Sequence, residues 1–432
     1  MNRKKILIIG HNPISKGDNM GKTMRNIFQS YDKSELCQIY LRHGEPDFDI
    51  CDQYFYFDEV GILKSLFNRK KPTGYVYKEE NNCPHDSNAQ ESTQDVNSIK
   101  SKVYQFGRKR TEGVYLMRNL LWMLGKWDSP ELEAWLEEQK PTCIFFFSGD
   151  YFFLLRIVMK LADKLNIPLF VYHLDEHCFN KKLHQKVGLD ARIYMKYFKK
   201  MYDKAKMTFC ISEIMKDDYQ NFFKKKTDIL MNTCDAYMEE RDNNSNEFTM
   251  SYFGNLSYHR WEMISLISSA VKKLNELYER QITFNVYSGE KNKIILDPFL
   301  ANPDVNFKGE ISFEEVKLKM AESDILVHVE SFDKESKESV KHSISTKIPE
   351  MLASNRIILA AGPKDVAAIN YLQKHDAGIV INSDKLDVIV EKMKCLYEEN
   401  DFSKYKDNAK NLYYANHTPV KIKEKIDSYI EC

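Results

Sequence analysis

Short apolar runs alternate with amphipathic segments along almost the whole chain. That rhythm predicts parallel strands joined by crossover helices. In the first half the runs "KILIIG", "CQIYL", "DQYFYF", "TCIFFF", "PLFVYHL" and "MTFCIS" each read as a strand. Helical spacing occupies "NMGKTMRNIFQSY", "GVYLMRNLLWMLG", "SPELEAWLEEQ", the segment from Tyr151 and a long stretch near 189–205. The rhythm fails twice. Residues 68–112, centred on "EENNCPHDSNAQESTQDVNSIKSK", hold almost no large apolar side chain, so a mobile insertion or long loop is expected. Residues 235–249, "DAYMEERDNNSNEFT", are polar in the same way and read as a connection between domains.

Beyond that connection the alternation restarts. Strands are expected at "MSYFGNL", "ITFNVYSG", "DILVHVE", "RIILAAG" and "AGIVINS". The helix "SFEEVKLKMAES" opens with a capping box made by Ser312 and Glu315. The expected class is α/β with two Rossmann-like, doubly wound domains. They cover residues 1–235 and 250–404, with a linker at 236–249 and helices at 405–432. Two such sheets facing one another would open a central cleft at the carboxyl ends of both strand sets.

Composition narrows the function classes. The chain has 432 residues, 29% charged and 43% hydrophobic, with a formal net charge of zero, which is ordinary globular usage without the basic footprint of a nucleic-acid binder. Its 9 cysteines form no C-x-x-C pair, so neither a zinc site nor a redox motif is indicated and a reducing, cytoplasmic setting is expected. The start "MNRKKILIIGHNP" turns polar too early for a signal peptide, and the most apolar run is broken by Asp150 and Arg156.

Three stretches carry candidate chemistry. Gly21-Lys22-Thr23 ends like a phosphate-gripping P-loop, but the glycine that should stand at position 16 is Lys16, which argues against a triphosphatase. "HLDEH" sets His173 and His177 four apart at a strand end; the helical context and third ligand of a zinc site are missing, so no metal is expected. In "HVESFDKESKESVKHSISTKIPEML", residues 328–352, a long polar loop leads into a helix with Lys347 in its first turn and Glu350 three residues on. A cation at a helix mouth beside one carboxylate suits a nucleotide diphosphate, with Glu350 accepting from ribose hydroxyls. A surface ion pair at the same spacing satisfies the pattern equally well.

The second half resembles the donor-binding domain of GT-B glycosyltransferases, particularly the family-4-like retaining group (glycosyl transferases group 1). The residues that carry the resemblance are "YFGNLSYHRW" and "SISTKIPEMLASNRIILAAGP", within 250–400. It implies donor binding by Gly254, Arg260, Ser345, Thr346, Lys347 and Glu350. The paired-glutamate motif of that group would begin at position 342, where His342 stands, so His342 or Glu330 is the candidate substitute. In the first half the opening loop with Gly21, Lys22 and Thr23 matches the acceptor-side strand-loop-helix, and "YHLDEH" offers His173 and Asp175 near the acceptor. A packed histidine and a helix cap account for that pair equally well. The resemblance further implies a nucleotide-sugar donor, a saccharide or lipid-linked acceptor, retention, no metal or other cofactor, and final helices that return to the first domain.

Residues 181–206 hold nine Lys/Arg against two Asp, interleaved with Ile193, Tyr194, Met195, Tyr197, Phe198 and Tyr202. Such a helix either docks on an anionic membrane face or turns its apolar side to the core. The rival readings are a GT-B-like nucleotide-sugar epimerase and a non-catalytic partner subunit of the same fold.

Overall fold

The computed structural model describes residues 4–79, 112–179, 188–234 and 247–431. The chain divides into two compact units, Met1–Leu230 with Ile422–Cys432, and Met231–Lys421.

The first unit is built in the order β1 (Ile6–Ile9), α1 (Asn19–Phe28), β2 (Leu36–Tyr40), β3 (Gln53–Phe57), α2 (Glu59–Ser65), β4 (Gly74–Lys78), α3 (Glu112–Leu124) and α4 (Pro130–Gln139). It continues with β5 (Cys143–Phe147), α5 (Phe152–Leu165), β6 (Leu169–His173), α6 (Gly188–Lys204), β7 (Met207–Cys210), α7 (Glu213–Phe223) and β8 (Thr227–Ile229). The strands form an eight-stranded sheet ordered β4-β3-β2-β1-β5-β6-β7-β8. All neighbours pair in parallel except β3 and β4. Parallel strands covered on both faces need continuous apolar runs. Accordingly β1, β2, β5, β6 and β7 are buried at every position.

The second unit follows as β9 (Glu247–Phe253), α8 (Arg260–Asn275), β10 (Gln281–Tyr287), α9 (Lys293–Leu300), β11 (Val305–Gly309), α10 (Phe313–Glu322), β12 (Ile325–Val329) and α11 (Lys334–Val340). After these come α12 (Ile348–Ala353), β13 (Ile357–Ala361), α13 (Ala367–Lys374), β14 (Ile379–Ile381), α14 (Leu386–Met393), α15 (Cys395–Glu398) and α16 (Ser403–Asn416). The sheet order is β11-β10-β9-β12-β13-β14, all parallel, which is the 3-2-1-4-5-6 winding of dinucleotide-binding domains. The expected capping box of α10 forms, with Glu315 N–H donating to Ser312 Oγ at 3.2 Å and Ser312 N–H to Glu315 Oε2 at 2.8 Å.

Several expectations change. Within 68–112, residues Gly74–Lys78 form edge strand β4, because Tyr77 finds a buried place against Tyr56; residues 80–111 lie outside the described part. The proposed linker is shortened at its end, since β9 already begins at Glu247; residues 235–246 are not described. Part of the supposed polar loop after β12 is helical, as α11, capped by Asp333, whose carboxylate accepts from Ser336 N–H at 2.9 Å. Of the C-terminal helices, α16 belongs to the second unit, and α17 (Pro419–Ile430) enters the first from Ile422. There Asp427 accepts from Tyr31 Oη at 2.7 Å and from Lys4, and Tyr429 Oη donates to Asp228 at 2.8 Å.

The basic segment 181–206 does not present an apolar face outward where it is described. Helix α6 turns Tyr194, Phe198, Met201 and Tyr202 into the core, leaving its lysines as a solvated face; residues 180–187 are not described. Among the described residues no helix is long and apolar enough to cross a membrane.

Candidate active site

In the second unit the winding reverses between β9 and β12, the place where open α/β sheets receive ligands. The chain leaving β9 supplies Gly254, Asn255 and Arg260; the chain leaving β12 supplies Glu330. Tyr258 and His259, at φ 55° and 56°, both take the left-handed conformation that side chains disfavour, and the bend delivers Arg260 at the start of α8. Its guanidinium grips Glu330 with two bonds, Nε to Oε2 at 3.0 Å and Nη2 to Oε1 at 3.2 Å, while Nη1 donates to Asn255 Oδ1 at 3.0 Å. Three of the five N–H groups are thereby committed, and no hydrogen bond among the described residues engages the other two.

Glu330 is 3% exposed. Burial pushes its carboxyl pKa up, yet His328 and Arg260 together outweigh burial and hold it below the ordinary carboxylate value. His328 Nε2 stands 3.4 Å from Glu330 Oε1. Gly362, at the exit of β13, lies against this carboxylate's stem: a Cβ there would meet Glu330 Cβ and O at 3.0 Å.

Gly254 is small for a local reason. A Cβ would stand 2.9 Å from the hydroxyl of Tyr252, which donates to Asn255 O at 2.7 Å. Gly254→Ala is therefore expected to dislodge that hydroxyl, release Asn255 and loosen Arg260, at about 1–2 kcal/mol of stability in urea unfolding.

The remaining donor-side residues sit on or before α12. Lys347 is its N-cap rather than a first-turn residue, and with only six residues the helix adds little dipole. Lys347 N–H donates to Ser345 Oγ at 3.3 Å, Thr346 is exposed, and Lys347 and Glu350 are half-buried. His342 is buried in the turn after α11. Of the two candidates for the missing glutamate, Glu330 is the one that shares the reversal point with Arg260.

In the first unit the winding reverses between β1 and β5. The Gly21-Lys22-Thr23 loop has its helix mouth already filled. Asp18 caps α1 and already accepts from Gly21 N–H at 2.9 Å and from Asn12 Nδ2 at 3.0 Å, so a carboxylate stands where a phosphate would bind. Gly21 is small because the loop packs on it: a Cβ would meet Pro13 O and Ser15 N at 2.9 Å. Thr23 is buried and Lys22 half-buried. His173 is fully enclosed by Phe198, Tyr219 and Tyr202, and neither ring nitrogen has a hydrogen-bond partner. Burial holds its pKa well below the ordinary imidazole value, so it is a neutral core residue, and Asp175 beside it is exposed.

The polar groups at this reversal are others. His11, just past β1, stacks on Tyr151 at 5.5 Å. Its Nε2 accepts from Arg118 Nη2 at 3.0 Å and its Nδ1 meets Asn12 Oδ1 at 3.2 Å. Burial, with Arg118 adding to it, lowers the His11 pKa to about 3, so the ring is neutral. Arg118 also covers the Tyr151 ring at 4.2 Å and donates to Glu59, which takes a second bond from Trp122 Nε1 at 3.1 Å. Past β5 and β6, Asp150 Oδ1 and His177 Nδ1 lie 3.0 Å apart. Of the two histidines in "HLDEH", the second is the one with a polar partner at this sheet edge. A usable signal existed: His11, Asp150 and His177 follow closely on strand ends. Arg118 comes from a helix, and only folding reveals it. Among the described residues no group of three or more His, Cys, Asp or Glu is placed to hold a metal ion.

No protein-family model matches the chain, and no curated protein matches it in sequence. Solved structures do match over nearly its whole length. HepE of Anabaena in complex with UDP aligns at TM-score 0.62 and 12% identity, covering 99% of each chain. Sucrose-phosphate synthase of Thermosynechococcus elongatus aligns at TM-score 0.56 and 11% identity, covering 99% of this chain and 98% of that one. An alpha,alpha-trehalose-phosphate synthase (UDP-forming) of Burkholderia xenovorans, in complex with glucose-6-phosphate, aligns at TM-score 0.54 and 9% identity, covering 98% and 99%.

The fold is that of the GT-B glycosyltransferases. Within that fold, the second unit's reversal point carries Arg260 and Glu330, and the first unit's carries His11, Arg118, Tyr151, Asp150 and His177.

Proposed function

We propose that the protein is a glycosyltransferase that takes a sugar from a UDP-sugar and joins it to an acceptor hydroxyl. The observation that carries this reading is the Arg260 guanidinium, fixed by Glu330 at the reversal of a 3-2-1-4-5-6 sheet with two N–H groups in reserve. A diphosphate leaving group gathers negative charge as the bond from the sugar's anomeric carbon breaks, and a preorganised cation stabilises that charge more than a mobile one. Lys347 would add a second cation, and Glu350 would orient the donor by accepting from its hydroxyls. The acceptor side would be lined by Tyr151, Arg118 and the Asp150–His177 pair, since stacked aromatics and paired polar groups suit a sugar's alternating faces.

Support comes from the company of the fold: the aligned proteins are described with UDP, as sucrose-phosphate synthase and as a UDP-forming trehalose-phosphate synthase. Retention at the anomeric carbon, chemistry without a metal, and a role in surface polysaccharide or glycolipid assembly complete the proposal on grounds of resemblance alone, and work in the cytoplasm on the cysteine pattern.

Calorimetric titration with UDP tests the donor site. Lys347→Ala and Glu350→Ala are each expected to weaken binding about 10-fold or more, the cost of losing a hydrogen bond involving a charged group. Unchanged affinity in both variants overturns the assignment of α12. Incubation of a UDP-sugar without acceptor separates the rivals, since an altered sugar at that stage would mark an epimerase.

A further inference from the structure

Helices α2 and α3 each bury one face and leave a second apolar face outside. On α3, Val114, Tyr115 and Trp122 are buried, whereas Met117, Leu120 and Leu124 are exposed along one stripe at helical spacing. On α2 and the turn that ends it, Ile62 is buried while Leu63 and Leu66 are exposed and Phe67 is 89% exposed. The helices run side by side in the same direction, with Arg118 and Trp122 bonded to Glu59 near one end and Lys126 N–H donating to Ser65 Oγ at 3.0 Å near the other. Six large apolar side chains on these two neighbouring helices are therefore exposed, more than scattered surface hydrophobics require.

Beyond Glu59 and Glu112, which open the two helices, the charges on these segments are cationic. Residues 60–78 and 113–127 contain no Asp or Glu. Lys64 lies on α2, and Arg69, Lys70 and Lys71 follow Phe67 after Asn68; all four are exposed, and none forms an ion pair with a described residue. A second copy of the chain would bring these cations against their own images, which disfavours self-pairing. An aromatic tip flanked by unpaired lysines and arginine suits a surface that is apolar beneath and anionic at its rim.

We propose that the α2–α3 face docks on an anionic lipid bilayer, with Phe67, Leu66 and Leu124 entering the headgroup boundary and Arg69, Lys70 and Lys71 meeting lipid phosphates. This stands apart from the sugar-transfer reading and takes over the membrane role first sought in 181–206.

Vesicle sedimentation with the full chain tests it. Binding is expected to vesicles of phosphatidylcholine mixed with phosphatidylglycerol, not to phosphatidylcholine alone, and to weaken as salt rises. Lys70→Gln with Lys71→Gln is expected to lower the partition coefficient about 30-fold, at ~1 kcal/mol for each cation. Phe67→Ser with Leu124→Ser is expected to lower it at least about 10-fold through lost apolar burial. All four positions are exposed and outside both reversal points, so circular dichroism and UDP affinity should not change. Three results would each overturn the proposal: no binding to either vesicle, binding indifferent to both double variants, or a dimer in sedimentation velocity that Phe67→Ser dissolves.

Discussion

Arg260→Ala is expected to destabilise the second unit by about 3–5 kcal/mol, because it strands the Glu330 carboxylate in the interior with one cationic partner removed. Urea unfolding at neutral pH measures the loss. Adding Glu330→Gln to the same chain is expected to recover much of it, since a neutral amide costs less to bury than an unpaired charge; the double-mutant cycle isolates the pair. The pH dependence gives an independent readout. In the native protein Glu330 titrates below the ordinary carboxylate value, so its contribution is complete above the unfolded pKa and disappears as pH falls through the lowered folded one. Without Arg260, burial is opposed by His328 alone, and the gap between native and variant stability should narrow on acidification. A gap that stays constant from neutral pH down to the carboxylate range would mean that Arg260 acts through packing. The same substitution is expected to abolish measurable UDP binding if the guanidinium meets the diphosphate, whereas Arg260→Lys keeps a charge but loses the two-pronged grip.

The second large effect separates two histidines only four residues apart. His177→Ala is expected to lower kcat/KM for sugar transfer by about 10–100-fold, the worth of a positioned hydrogen bond involving a carboxylate, here Asp150. Asp150→Asn should follow it in the same direction. His173→Met should leave turnover unchanged and alter stability by less than ~1.5 kcal/mol, because it swaps a neutral, unpartnered ring for an apolar side chain of similar volume. Loss of activity in His173→Met with a folded protein would return that residue to the site. Steady-state kinetics with a UDP-sugar and thermal unfolding of each variant decide between these outcomes.

Much of the scaffold was legible before folding. Strands such as "CIFFF" and "LFVYH" are buried along their whole length, and only a doubly covered parallel sheet consumes runs of that kind. The capping box at Ser312 and Glu315 was readable because both partners lie within one turn. Edge elements were less visible. Strand β4 hid in a polar stretch because an edge strand needs only one apolar anchor, here Tyr77, and α11 hid because its seven residues carry little apolar pattern.

The sites divide along the same physical line. The family resemblance marked Arg260 and Glu330 individually, but nothing local states that residues seventy positions apart close a two-pronged ion pair. Sequence also placed weight on Gly21 and His173, whose meaning is decided by neighbours: Asp18 fills the helix mouth, and three aromatic rings seal the histidine. Arg118 reached His11, 107 residues away, and Tyr151 from a helix. By itself the sequence determined the alternation of strands and helices, the two-part organisation and the apolar runs, because those depend on short-range periodicity and burial. Which charged groups meet, which glycines are small for their own loop, and which hydrophobics stay outside were decided only in the tertiary structure, because each depends on atoms that chain closure brings together from distant positions.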